Sequence, residues 1–98
     1  MEKTIVLNVE YTMKPGGAAA YVQDLADAGI LQAIRSREGC LKYEYYHGFD
    51  DEDKLLLVEW WSDQAALQAH QASDYFPKLK AIKEQHCIAS SVEIFSIG

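Results

Sequence analysis

The chain has 98 residues, 49% of them hydrophobic and 24% charged, a balance that fits one globular domain and excludes a disordered tail or a low-complexity polymer. Nine basic residues against fifteen acidic ones give a formal charge of −6; this argues against nucleic acid and anionic membrane as partners, because both need a basic patch. No apolar run approaches the ~20 residues of a membrane span, and no signal-like stretch follows Glu2 and Lys3, so a cytoplasmic protein is expected.

From Thr4 to Thr12, Ile5, Leu7, Val9 and Tyr11 alternate with Val6, Asn8 and Glu10, the period of a strand. Pro15, Gly16 and Gly17 break it. A helix is expected from about Gly17 to Ser36, with Val22, Leu25, Ala26, Gly29, Ile30 and Ala33 on one stripe. Gly29 inside it implies a close packing contact or a bend. Gly39 suits a helix C-terminal turn with positive φ. Cys40 to Gly48 reads as a second strand, with Leu41, Tyr43, Tyr45 and His47 on one face. The polar stretch Phe49 to Asp53 connects it to a third, Lys54 to Ser62, as an antiparallel hairpin. Ser62 or Asp63 caps a short helix to about Ala72, and Ser73 or Asp74 a further one with Phe76, Leu79, Ile82 and His86 inward. Pro77 is tolerated in its first turn. Ile88 to Ile97 is the last strand.

The order β-α-β-β-α-(α)-β describes a single α+β domain of ferredoxin-like type, a four-stranded antiparallel sheet covered by helices on one side. The third strand is apolar on both faces: Leu55, Leu57 and Trp61 point one way, and Leu56, Val58 and Trp60 the other. Helices cover only one face. The other is expected to meet a second copy, sheet against sheet, as a homodimeric α/β barrel. An amphipathic surface strand with a few exposed aromatics is the competing reading.

The strongest chemical signal is the run Glu59-Trp60-Trp61-Ser62-Asp63, followed by Leu67, His70 and Ser73-Asp74-Tyr75-Phe76. Glu59 and Trp61 share a strand face, and Leu67 and His70, three apart, share a helix face that must pack on the sheet. The expected result is a pocket walled by Trp, Tyr and Phe, suited to a flat aromatic ligand. His70 is a candidate general base, or simply a hydrogen-bonded structural histidine. Glu59 is a candidate buried carboxylate with raised pKa, or one that orients His70 or an indole N–H, or a solvated edge residue. Tyr43 and Tyr45 can hydrogen-bond a phenolic ligand or merely pack. Asn8 can polarise an oxygen or lie on the outer face.

Cys40 and Cys87 are too few for a disulfide framework and lack CxxC spacing. Asp50-Asp51-Glu52-Asp53 lacks the spacing, central glycine and distal glutamate of a calcium loop. His47, His70 and His86 have no metal-ligand spacing, and no GxGxxG, Walker lysine or GxSxG is present.

Lys14-Pro15-Gly16, Glu38-Gly39-Cys40-Leu41-Lys42-Tyr43-Glu44, Glu59-Trp60-Trp61, Ala69-His70 and Ser73-Asp74-Tyr75-Phe76, in that order and spacing, together resemble the antibiotic biosynthesis monooxygenase domain, the group that includes quinol monooxygenases. The resemblance implies a ferredoxin-like fold, a dimer joined through the sheets and a pocket between sheet and helices. It also implies oxidation of a small aromatic or quinol-like molecule by dioxygen without metal or flavin. On that reading His70 is the base or phenol-binding group and Glu59 orients, while Tyr43, Trp61, Tyr75 and Phe76 wall the ligand; Asn8 is a further candidate substrate contact from its residue type alone, since it does not align with the asparagine of the haem-degrading relatives. Haem-degrading relatives use an Asn, a Trp and a His at set positions, and here no histidine stands where their iron ligand does. The family also contains isomerases of small signals. A non-catalytic ligand-binding or stress-response module on the same scaffold is the alternative.

Overall fold

A computed structural model describes residues 3–98. Four strands, β1 (Thr4–Met13), β2 (Cys40–His47), β3 (Lys54–Trp61) and β4 (Cys87–Ile97), form one antiparallel sheet in the order β2-β3-β1-β4. The helices α1 (Gly17–Asp27), α2 (Ile30–Arg35), α3 (Gln64–Gln71) and α4 (Phe76–His86) pack on one face. This is the ferredoxin-like α+β arrangement. The sheet is open, with β2 and β4 as its edges. Among the described residues no helix is long and apolar enough to cross a membrane.

Alternation sets the core. Ile5, Leu7 and Tyr11 of β1 pair with Trp61, Glu59 and Leu55 of β3, and all six are buried under the helices. On the opposite face Val6, Asn8 and Glu10 pair with Trp60, Val58 and Leu56. Tyr46 joins that outer face beside Leu56, and Phe95 beside Val6. The outer face is therefore apolar along β3, with Tyr46 and Phe95 close to half exposed.

Three local expectations need correction. The single helix from Gly17 to Ser36 is two helices, because Gly29 adopts φ +75°, a left-handed conformation that ends α1 and starts α2. Nothing lies within 4 Å of where its Cβ would be, so the glycine serves the bend and not a close contact. The stripe shifts accordingly: Ala18, Tyr21 and Leu25 are buried from α1, and Ile30, Leu31 and Ile34 from α2, while Ala26 and Ala33 are exposed. Leu41 is not on the core face. It is the extra residue of a bulge where Cys40 pairs with Trp61 and Lys42 with Trp60, and it is exposed.

At the helix starts, Asp63 caps α3 by accepting from the Ala66 amide at 2.7 Å. Neither Ser73 nor Asp74 caps α4: the Ser73 hydroxyl donates back to the His70 carbonyl at 2.7 Å, and Tyr75 precedes the helix without a side-chain cap. Finally, Val92 and Ile94 lie on the helix-side face opposite Val9 and Leu7 but are more than half exposed, because the helices do not extend over β4.

Candidate functional site

Three elements converge on His70. Asp63 fixes the start of α3, so Leu67 and His70 turn inward together, and both are buried. Trp61, at the end of β3, lies beneath the imidazole with its ring centroid 4.7 Å away at 24°. Phe76, opening α4, meets the imidazole edge-on at 5.4 Å and 88°, and Tyr43 of β2 does so at 5.9 Å and 66°. Aromatic rings thus close on His70 from below, beside and above, and fix its plane.

Its two nitrogens face different partners. Nδ1 lies 2.6 Å from the Tyr75 hydroxyl. Nε2 points toward the Glu59 carboxyl, 4.0 Å from Oε1. That separation is too long for a hydrogen bond. An oxygen set to one side, about 2.8 Å from each atom, reaches both. Oε1 also accepts from the Trp61 indole N–H at 3.0 Å. Trp61 thereby holds the carboxyl through its edge and the imidazole through its face.

Burial drives both groups toward their neutral forms. The Glu59 carboxyl is pushed up to about 7 by desolvation, against the moderating indole N–H. The His70 imidazole is pushed down to about 4 by desolvation, with the positive charge of Arg37 adding to it. At neutral pH the imidazole is uncharged and the carboxyl is close to half ionised. Of the two, Glu59 is the stronger base.

Between them and the helices lies a cavity of about 80 Å³, lined also by Tyr11, Tyr21, Tyr43, Leu57, Phe76 and Leu79, with Lys80 and Lys83 on its α4 side. The tyrosines form a layer. Tyr45 donates to the Tyr21 hydroxyl at 3.4 Å, and the Tyr43 and Tyr45 hydroxyls are 3.5 Å apart. Burial raises the hydroxyl pKa of Tyr11, Tyr21, Tyr43 and Tyr45 above the ordinary phenol value. All four therefore remain hydrogen-bond donors at neutral pH.

The structure brings Glu59, His70, Tyr43 and Phe76 to the cavity wall. Trp61 and Tyr75 do not line the cavity: the first is fully buried under His70, and the second holds its far nitrogen. Asn8 lies on the opposite face of the sheet, paired with Val58 and Glu93. His86 sits apart from the cavity wall, bound to Asp24 at 2.7 Å.

The pocket also differs in character from the aromatic-walled pocket for a flat ligand expected of the sequence. It is small, and five polar side chains face into it alongside the two lysines. Tyr11, Tyr21, Lys80 and Lys83 are not among the site residues expected from the sequence, although Lys80 and Lys83 stand with Lys78 in its one basic cluster. Tyr11 shares the parity of Leu7 and Val9. Tyr21 stands four before Leu25, and Lys80 and Lys83 stand four and seven after Phe76. Spacing contained the signal for each.

The sequence profile of one family, antibiotic biosynthesis monooxygenase, matches residues 4–82, most of the chain. The chain belongs to the antibiotic biosynthesis monooxygenase family. A Bacillus subtilis (strain 168) protein named putative monooxygenase YcnE is 25% identical over 72 residues, covering 74% of each chain. An uncharacterized Synechocystis protein, sll1783, is 32% identical over 47 residues; the match covers 48% of this chain and only 32% of that one. Among solved structures, a putative antibiotic biosynthesis monooxygenase from Caulobacter crescentus CB15 superposes with a TM-score of 0.84 at 22% identity, covering 99% of this chain and 92% of that one. Protein SO0527 from Shewanella oneidensis does so with a TM-score of 0.84 at 24% identity, over 98% and 92%. At these identities the structural likenesses establish the fold that the family shares.

Proposed function

We propose that this antibiotic biosynthesis monooxygenase family chain oxidises a small electron-rich aromatic, a quinol or phenol, with dioxygen in the cavity between sheet and helices. The observation that carries the reading is the buried Glu59–His70 pair, 4.0 Å apart and facing one cavity. A quinol becomes a reductant for dioxygen once it loses a proton. In the overall change quinol plus dioxygen gives hydroxyquinone plus water, so one oxygen atom enters the ring and the other leaves as water. The protein's part is to take the proton, hold the anion and keep water out.

In this reading the substrate hydroxyl sits within reach of both His70 Nε2 and Glu59 Oε1. Glu59, near pKa 7, receives the proton. The neutral imidazole, fixed by Tyr75, orients the hydroxyl. These roles reverse those suggested by residue type alone, because burial raises the carboxyl and lowers the imidazole. The tyrosine hydroxyls, held protonated by burial, stabilise the oxyanion. The cavity of about 80 Å³ is well short of the ~300 Å³ that ligand pockets begin at. A ring enters only as Phe76 and the start of α4 move aside.

The same proposal includes a homodimer through the outer sheet face. Val58, Trp60 and Leu56 stand there with Tyr46 and Phe95 beside them, a contiguous apolar surface of the kind that marks an interface. Sedimentation of the full chain checks this part. A monomer at micromolar concentration removes it, while Val58→Glu is expected to turn a dimer into monomers.

The activity is tested with 1,4-naphthoquinol under labelled dioxygen, against the protein-free rate. The expected result is protein-dependent oxygen uptake with one labelled atom in the hydroxyquinone, lost in Glu59→Gln and reduced in His70→Ala. Uptake no faster than without protein, or unchanged by Glu59→Gln, refutes the assignment.

A further inference from the structure

The α4 side of the cavity carries charge of one sign. Lys80 and Lys83 line it from successive turns of α4. Among the described residues neither ammonium lies within ion-pair distance of a carboxylate. Lys83 is half-buried, so it gives up part of its hydration, and an anion is the partner that best replaces it. The only acid in the lining is Glu59. In a chain with fifteen acidic and nine basic residues, the local balance is the inverse of the global one. That inversion concentrates an anionic ligand at the mouth against the repulsion of the rest of the molecule.

We infer that Lys83 and Lys80 select a ligand with a carboxylate or comparable acidic group on its aromatic ring, held at the mouth while the ring hydroxyl lies between Glu59 and His70. This rests on the reading of the cavity as the substrate site and narrows the substrate class to aromatic acids. The long lysine stems let the ammonium groups follow the acid while the start of α4 moves aside for the ring.

Two inert ligands of nearly one shape test it, because neither can be oxidised: 2-naphthoate and its neutral counterpart 2-naphthamide. Affinities are measured on the full chain by titration calorimetry. The naphthoate is expected to bind about tenfold more tightly at low salt, and most of that advantage is expected to vanish at about 0.5 M salt. The double substitution Lys80→Gln with Lys83→Gln, both on the partly or fully exposed side of α4, is expected to abolish the preference and leave naphthamide affinity unchanged. Lys78→Gln, on α4 but outside the cavity lining, is expected to retain it. Equal affinity for the two ligands, a preference that survives the double substitution, or no binding of either overturns the inference. A lysine-dependent preference without any quinol oxidation leaves it standing and removes the oxygenase reading alone. Oxidation of quinols without an anion preference does the opposite.

Discussion

Glu59 and His70 act on stability in opposite directions, and that opposition is measurable. In the folded chain the carboxyl titrates near 7 against 4.5 for an ordinary glutamate, and the imidazole near 4 against 6.5. From pH 4.5 upward the unfolded chain has released a carboxyl proton that the folded chain still holds. Stability from Glu59 therefore falls as pH rises to about 7 and stays reduced above it. Below pH 6.5 the unfolded chain takes up an imidazole proton that the folded chain refuses, so stability from His70 falls as pH drops to about 4. Each difference corresponds to at most roughly 3 kcal/mol. Between pH 4.5 and 6.5 the two slopes cancel.

Single substitutions remove the cancellation. Glu59→Gln keeps an acceptor for the Trp61 indole N–H and leaves only the imidazole slope. Relative to wild type it is expected to gain stability as pH rises from 4.5 to 7, by up to roughly 3 kcal/mol. His70→Gln keeps a partner for Tyr75 and leaves only the carboxyl slope; relative to wild type it is expected to gain as pH falls from 6.5 to 4. Urea unfolding followed by tryptophan fluorescence at closely spaced pH values gives both difference curves, and other carboxylates drop out of the subtraction. Were the pair an ion pair at its 4.0 Å separation, both signs would reverse, and Glu59→Gln would lose stability at neutral pH. That result, or two flat difference curves, refutes the neutral-pair account.

The two left-handed glycines on either side of α2 are expected to differ on replacement. Gly29→Ala meets open space and costs only the backbone strain of about 1–2 kcal/mol. Gly39→Ala, at φ +86°, also drives a Cβ to 2.5 Å from that of Ala66 and adds overpacking of about 1–3 kcal/mol; equal losses in thermal melts contradict this. Trp61→Phe removes the N–H that lowers the Glu59 pKa, so the carboxyl is expected to titrate above 7 by carbon NMR, and an unchanged midpoint counts against the bond. Phe76→Ala is expected to lower stability by about 2 kcal/mol and to tighten naphthalene-sized ligands severalfold by opening the mouth. Unchanged affinity in calorimetry places the entrance elsewhere.

Strand parity made much of the architecture legible in the sequence. Alternation in β1 and β3 assigned Leu7, Tyr11, Leu57 and Trp61 to one face and Val6, Val58 and Trp60 to the other, as observed. The same parity already separates Asn8 from the cavity, since it shares a face with Val6 and Glu10. The helical break at Gly29 was harder to see because apolar residues continue at helical intervals across it. Only the change of stripe, from Tyr21 and Leu25 to Leu31 and Ile34, reveals the turn. The exposed Val92 and Ile94 depend on how far the helices reach, which no local pattern encodes. Cavity size and the depressed pKa of His70 were likewise out of reach, because each depends on the summed burial contributed by β1, β2, β3, α3 and α4 together.

The position most at odds with its surroundings was nevertheless visible from one strand. Along the core face of β3 the series runs Leu55, Leu57, Glu59, Trp61, three apolar residues and one acid at a position pairing with Leu7 on one side and Tyr43 on the other. An isolated carboxyl there opposes folding at neutral pH, by the amount that Glu59→Gln is expected to recover. No compensating ion pair accounts for it: among the described residues His70 is the one basic group within 4.0 Å of the carboxyl, and burial disfavours its charged form as well. The indole N–H of Trp61 satisfies one oxygen atom and leaves the carboxyl able to exchange a proton with whatever occupies the cavity. A residue that lowers stability, breaks the strand's own pattern and opens onto an internal space is placed where local rules are expected to fail at a site of chemistry. The proposal that Glu59 accepts the proton rests on that conflict more than on its residue type.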